Sequence, residues 1–141
     1  MNDEGLILLR KIDLGHKTMT RHNFRRLDIW KEGIEVAKST YSMTRIFPKE
    51  ERYGLTSQLQ RCGVSIPSNI AEGTSRKSDK HFITYLENSL GSAYEWETQL
   101  IIAFEIDYIS RETFEHLEKK IQNLQGKITR FINKLENSLK S

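Results

Sequence analysis

The stretch from Tyr53 to Gly73 reads YGLTSQLQRCGVSIPSNIAEG and decides the fold. Apolar residues recur in it every three or four positions, which is the spacing of one face of an α-helix. These residues are Leu55, Leu59, Cys62, Ile66 and Ile70. Polar residues recur at similar spacing beside them, namely Gln58, Arg61, Ser65, Asn69 and Glu72. The stretch therefore predicts a helix with an apolar stripe and a polar stripe side by side.

A proline and two glycines constrain this helix. Pro67 lacks an N–H, and its ring presses on the carbonyl four residues back, which belongs to Gly63. We expect Gly63 to leave room for a kink and Gly73 to close the helix in the left-handed conformation.

Length and composition predict one soluble helical domain. The chain has 141 residues, of which 37% are hydrophobic and 29% are charged. No apolar run approaches the roughly 20 residues that a membrane span needs. The single cysteine, Cys62, rules out an internal disulfide and favours a reducing, cytoplasmic setting. Because it lies on the apolar stripe, a buried inert thiol is the expected state.

The positive charge is concentrated near the start of the chain. Residues 1–26 hold six basic and three acidic residues, a balance of +3 that equals the net charge of the whole chain. The rest of the chain is therefore neutral on balance. Any attraction to nucleic acid must depend on local patches.

Outward from the central stretch, the periodicity predicts helices at about 28–46, 50–71, 79–107 and 111–138. They lie in a body spanning 23–141, after a flexible N-terminal extension at 1–22. The first apolar stripe is Leu27, Trp30, Ile34, Ala37 and Tyr41; the third is Phe82, Leu86, Ser89, Ala93, Trp96, Leu100 and Ala103; the fourth is Phe114, Leu117, Ile121, Leu124, Ile128, Phe131 and Leu135. Amphipathic helices with short links predict an all-α, antiparallel up-down bundle with a left-handed crossing of about 20°.

The third helix is mostly acidic and the fourth is mostly basic. We expect these opposite charges to face each other along the bundle or between subunits.

No motif in the chain indicates catalysis. The Glu-x-x-His pairs of di-iron bundles are missing from the four helices, and no nucleophilic triad or phosphate-binding glycine loop occurs. The sequence therefore predicts no catalytic residues, no metal site and no cofactor.

Three basic groups are candidates for binding nucleic acid or another anion. The first group is Arg21, Arg25 and Arg26; the second is Arg76, Lys77 and Lys80, beside His81; the third, on the fourth helix, is Lys119, Lys120, Lys127, Arg130 and Lys134. The second group precedes or opens a helix, where cations oppose the helix dipole and a phosphate is favoured. A solvated loop paired with nearby acids is the alternative.

The polar stripe also has two interpretations. Its residues hydrogen-bond helix ends and neighbouring subunits around the proline, or Arg61 and Asn69 contact a ligand.

An ordered series of short motifs resembles a known family. The series is Phe47-Pro48, Glu51, Leu55, Gln58, Arg61, SIPSNIAEG at 65–73, Arg76, Ser78, Gly91-Ser92 and Glu95. It resembles the four-helix-bundle family of 23S rRNA intervening-sequence proteins, to which the accessory variability determinant of diversity-generating retroelements looks related. The match covers about residues 24–137. This chain departs from the pattern at His81, where an acid is usual, and at Ser89, where alanine is usual.

The resemblance implies a four-helix bundle that assembles into a homopentamer without enzymatic activity. The retroelement relative binds reverse transcriptase and nucleic acid. We therefore expect a non-catalytic homo-oligomeric scaffold that binds RNA or a ribonucleoprotein partner through its basic patches. The alternative is a protein–protein adaptor, for example one that docks a reverse transcriptase, with no direct contact to nucleic acid.

Overall fold

The computed structural model describes residues 22–140. Within them lie four α-helices and two short 3-10 turns, without a β-strand. The helices are α1 (Asp28–Thr44), α2 (Leu55–Thr74), α3 (Asp79–Glu105) and α4 (Arg111–Lys140), and the turns are Phe24–Arg26 and Lys49–Glu51. The predicted all-helical architecture is confirmed. None of these helices combines the length and the apolar character needed to cross a membrane.

Each helix packs against the next in antiparallel order, and α4 returns to α1. Gln60 of α2 donates to Thr44 near the end of α1, at 3.1 Å. The hydroxyls of Ser65 and Ser92 meet at 2.9 Å between α2 and α3. Gln125 of α4 reaches Glu97 of α3, and Lys127 of α4 reaches Glu32 of α1. The order around the bundle is therefore α1, α2, α3, α4.

The start of α2 differs from the prediction by five residues. Lys49–Glu51 forms a separate turn, and the helix begins at Leu55. The Glu51 carboxylate accepts from the Leu55 N–H at 3.1 Å and from the Tyr108 hydroxyl at 2.7 Å. The Tyr108 bond first, and then the Leu55 bond, hold the pKa of Glu51 below its ordinary value. Glu51 thus caps α2 from outside the helix and ties it to the α3–α4 link.

The expectation for Gly73 was wrong, because no glycine in residues 22–140 has a positive φ. Gly73 lies inside α2, where its missing side chain lets α3 approach. A Cβ there would lie 2.7 Å from Cδ1 of Phe82 and 2.9 Å from Cβ of Tyr85. The left-handed residue is Asp107, with φ 67°, just after α3. The Tyr108 N–H bonds back to the Ala103 carbonyl at 2.8 Å, which closes that helix.

The predicted apolar stripes of α2, α3 and α4 form the core, in which Trp96 and Phe82 are the largest fully buried side chains. The stripe predicted for α1 was confirmed only at Leu27, which is 1% exposed and directly precedes the helix. Tyr41 is 48% exposed and Trp30 is only partly buried. The core face of α1 is instead Ile29, Gly33, Val36, Thr40 and Met43. Two of these residues are not hydrophobic, so a search for apolar periodicity passes over them.

Small and hydroxylated residues let α1 lie close to α2. A Cβ at Gly33 would be 3.2 Å from Cβ of Pro67. A Cβ at Gly63 would be 2.8 Å from Oγ1 of Thr40. That oxygen accepts from the Trp96 indole N–H at 2.9 Å and donates to the Val36 carbonyl at 2.7 Å. Gly63 therefore makes room for a neighbouring helix and for a buried hydrogen bond.

The folded body begins at or before His22, which the sequence had assigned to the extension. Its N–H donates to the Thr74 carbonyl at 3.2 Å, and its buried ring lies 5.4 Å from that of Phe82. The rest of the predicted extension, residues 1–21, lies outside the described residues.

Candidate nucleic-acid interface

One end of the bundle gathers the start of α1, the end of α2, the start of α3 and the C-terminal part of α4. The contacts of His22 join the first three of these segments. Phe82 and Phe131, with ring centroids 5.7 Å apart, join α3 to α4. Candidates that are far apart in sequence therefore share one end of the molecule.

Four exposed basic side chains form what we call the basic end: Arg25, Arg26, Lys77 and Lys80. The guanidinium of Arg25 lies 5.7 Å from the ring centroid of Phe24. Within residues 22–140 none of the four forms an ion pair. Arg21, the remaining candidate before α1, lies outside the described residues.

Lys77 and Lys80 flank the N-terminus of α3. Ser78 caps that helix by accepting from the His81 N–H at 3.2 Å, and its hydroxyl lies 2.9 Å from Nδ1 of His81. The first-turn amides and the two lysines favour an anion at this end of α3, where the first turn also holds the buried carboxylate of Asp79.

Arg76 differs from its two basic neighbours. It forms an ion pair of 2.8 Å with Glu72 and donates to the Tyr85 hydroxyl at 2.7 Å. Its guanidinium carbon also lies 4.6 Å from the Tyr85 ring centroid. These contacts match the alternative of a loop charge paired with a nearby acid. Sequence reasoning missed Tyr85, whose signal was only its position three residues after Phe82 on the same helix.

The basic residues of α4 do not form one patch. Lys120 reaches the Ser39 hydroxyl at 3.4 Å, and Lys127 forms an ion pair with Glu32 at 2.5 Å. Both therefore serve the contact between α4 and α1. Lys119 is exposed in the half of the bundle away from the basic end, while Arg130 is exposed next to Phe131, towards the basic end.

The polar stripe of α2 lies along α3. Asn69 donates to the carbonyl and the hydroxyl of Ser65, each at 2.9 Å. Gln58 accepts from Gln99 of α3 at 3.3 Å, and Glu72 pairs with Arg76. These bonds give four of the five stripe residues structural partners. Arg61 is exposed and forms no ion pair within residues 22–140.

A groove of about 240 Å³ follows this stripe between α2 and α3. Its walls include Arg61 and Glu95, and Cys62 lies at its base, 7% exposed. Burial first, and the Glu95 carboxylate second, raise the pKa of the Cys62 thiol to about 11. The arrangement suppresses thiolate chemistry at neutral pH. Residues 22–140 also hold no group of three or more His, Cys, Asp or Glu side chains suited to a metal ion.

We expect Cys62 to react slowly with a disulfide reagent. A thiol with a pKa of about 11 in place of the ordinary 9.0 has roughly 100-fold less thiolate at pH 8, and burial slows the reaction further. The rate at pH 8 is compared for folded protein and for protein unfolded in guanidinium chloride. Equal rates in the two states would contradict the buried, protonated thiol.

Helix order, antiparallel packing and a continuous core define the chain as a four-helix bundle of the all-α class. It belongs to the 23S rRNA-intervening sequence protein family, whose sequence profile it matches over residues 25–130. Its fold is similar to the crystal structure of a protein with unknown function from the S23 ribosomal protein family of Bacteroides thetaiotaomicron VPI-5482. That comparison has a TM-score of 0.69 and 25% sequence identity, covering 74% of this chain and 97% of the other. The comparison with curated proteins finds no match.

Proposed function

We propose that this protein is a non-catalytic, homo-oligomeric helical scaffold that binds RNA, alone or within a ribonucleoprotein, through phosphate contacts. The observation that carries the proposal is the basic end. There the fold places Arg25, Arg26, Lys77 and Lys80 at the same end of the bundle, all exposed and without ion pairs among residues 22–140. The contacts invoked are sequence-independent, because charged side chains at a helix N-terminus recognise phosphate rather than base edges.

Oligomerisation strengthens this mode of binding. In a homopentamer the basic end occurs five times, and several weak contacts to one polymer give high avidity. The family resemblance supports a pentamer of chains of 16.5 kDa.

A protein adaptor is the second candidate function. The opposite end of the bundle exposes large apolar side chains, including Ile46 and Tyr53, of which Tyr53 is 86% exposed. Large exposed apolar side chains at one end of a bundle favour a contact with another protein.

The test uses the untagged full chain with a single-stranded RNA of about 40 nucleotides. Size-exclusion chromatography with light scattering gives the particle mass with and without RNA, and fluorescence anisotropy gives the affinity from about 50 to 300 mM salt. We expect an oligomer whose RNA affinity falls steeply with salt, because phosphate contacts release counterions. An oligomer that does not bind RNA at the lowest salt concentration would favour the adaptor function. A monomer would overturn the proposal of a homo-oligomeric scaffold.

A further inference from the structure

A strip of apolar side chains on the outside of the bundle is covered within residues 22–140 only at its Trp30 end, where the Phe24 ring centroid lies 5.1 Å from that of Trp30. It follows the junction of α1 and α2, where a groove of about 240 Å³ is lined by Trp30, Ile34, Ala37, Val64, Pro67 and Ala71. Val64 is 41% exposed. The α1 side of the strip consists of residues that the sequence had predicted as core, and Tyr41 follows them at the same spacing, 48% exposed. Internal packing explains only part of this pattern, because Trp30 alone of these residues packs against the core cluster.

A second apolar feature lies on α3. Tyr94 is 52% exposed and Ile101 is 38% exposed, seven residues further along the helix. They lie three residues before and four residues after Glu97, whose carboxylate accepts from Gln122 and Gln125 of α4. Residues at this spacing share a side of a helix, so both lie on the side of α3 that turns towards α4. We call this pair the α3 ridge.

The strip and the ridge lie on opposite faces of the molecule. The helices follow one another around the bundle in the order α1, α2, α3, α4. The face between α1 and α2 is therefore opposite the face between α3 and α4. Two copies that join strip to ridge make a head-to-tail contact, which leaves a free strip on one copy and a free ridge on the other. Repetition of such a contact closes into a ring or grows as a filament.

The two surfaces are complementary in charge, and the ridge is short enough to lie within the strip. Exposed Lys38 and Arg61 border the strip, and exposed Glu87 and Glu105 continue the line of the ridge along α3. Within residues 22–140 neither of these glutamates has an ion-pair partner, and neither has Arg61, whereas Lys38 pairs with Glu35 at 3.2 Å on its own helix. The ridge is about 10 Å long and the strip from Trp30 to Tyr41 is about 16 Å long, at 1.5 Å per helical residue.

We infer that the α1/α2 strip of one copy receives the α3 ridge of a second copy. This inference specifies the contact surfaces of the homo-oligomer proposed above. It also gives the acidic α3 a basic neighbour outside the bundle, although α4 takes no part in this contact. The expectation that the opposite charges of α3 and α4 pair along the bundle was wrong, because Lys127 pairs with α1 and the α3 glutamates form no ion pair within residues 22–140. On this inference the acidic α3 instead meets a basic border on the next copy.

The test uses one variant for each surface, Val64→Glu and Tyr94→Lys. Each places a charge of the repelling sign in the contact, at a site exposed enough for the helix to tolerate it. We expect each variant alone to be helical by circular dichroism and to run as a single chain near 16.5 kDa. When the two are mixed, the intact ridge of one fits the intact strip of the other. We therefore expect particles of at least two chains that contain both variants in equal amounts.

Tyr53→Lys is the matched control. It replaces an exposed tyrosine by lysine, as Tyr94→Lys does, but Tyr53 lies outside both the strip and the ridge. It should keep the wild-type mass. Ile101→Lys is a second ridge variant and should behave like Tyr94→Lys.

Three results would overturn the inference. They are a strip or ridge variant that keeps the wild-type mass, a mixture that does not associate, and a control that dissociates like the surface variants. These results concern assembly alone, so they are separate from a wild-type oligomer that fails to bind RNA.

Discussion

Replacement of Gly63 by alanine is expected to lower the free energy of unfolding by about 2–3 kcal/mol, even though alanine is the better helix former. The new Cβ would lie 2.8 Å from Oγ1 of Thr40 and 3.5 Å from Nε1 of Trp96. Thr40 cannot move away freely, because its hydroxyl binds both the Trp96 indole and the Val36 carbonyl. A shift would leave a buried indole N–H without its acceptor.

Gly91→Ala is the control and should act in the opposite direction. Gly91 is exposed within α3, and a Cβ there would meet nothing within 4 Å. Alanine at such a site stabilises a helix by roughly 0.5–1 kcal/mol. Urea unfolding of both variants and the wild type, followed by circular dichroism at one protein concentration, gives the two differences. If both substitutions stabilise the protein, the close contact at Gly63 is wrong.

Thr40 tests the same hydrogen bond from the other side. Thr40→Val keeps the shape of the side chain but removes the acceptor for Trp96. It should cost about 1–3 kcal/mol, which is the range for an unsatisfied buried donor. In the double variant Gly63→Ala/Thr40→Val, the loss of unfolding free energy should be smaller than the sum of the two single losses. Both substitutions disrupt the same hydrogen bond between Thr40 and Trp96.

Periodicity predicted three of the four core stripes because α2, α3 and α4 bury mostly large apolar residues. It failed for α1, whose core face includes Gly33 and Thr40. Gly33 is buried because its missing side chain lets Pro67 approach closely, and Thr40 is buried because its hydroxyl accepts the hydrogen bond of Trp96. Such roles depend on the neighbouring helix and leave no apolar pattern in the sequence.

Gly73 shows a similar limit. A glycine near the end of a predicted helix commonly adopts the left-handed conformation. The structure instead places it against Phe82 and Tyr85. Local sequence cannot distinguish a glycine that bends the chain from one that admits a partner helix.

The individual basic residues of the candidate site could be predicted from the sequence, but their common location on one surface could not. Lys77 and Lys80 are neighbours in sequence, but their position at the same end as Arg25 and Arg26 depends on how the segment before α1 packs, through His22, against the end of α2 and the start of α3. The separation of Arg76 from this group depends on Glu72 and Tyr85. Charge patterns thus identify candidates, while tertiary contacts decide which charges stay available for a phosphate.

The double variant Lys77→Glu/Lys80→Glu should lower RNA affinity by roughly tenfold or more at about 50 mM salt, since it removes two cations and adds two repelling charges. If both lysines contact phosphates of single-stranded RNA, the slope of log affinity against log salt should fall by roughly 1.4, at about 0.7 for each contact. Acidic residues are favourable in the first turn of a helix, so glutamate at position 80 should not weaken α3. Lost binding would then not reflect lost folding.

Arg45→Glu/Lys49→Glu is the matched control for charge. It changes the net charge by the same amount at the opposite end of the bundle, where both residues are exposed. Simple long-range attraction between a basic protein and RNA would make the two double variants equally weak. A local phosphate site at the basic end weakens only the first and leaves the salt slope of the second unchanged. Lys77→Gln/Lys80→Gln separates lost contacts from added repulsion, and it should reproduce the change in slope with a smaller loss of affinity.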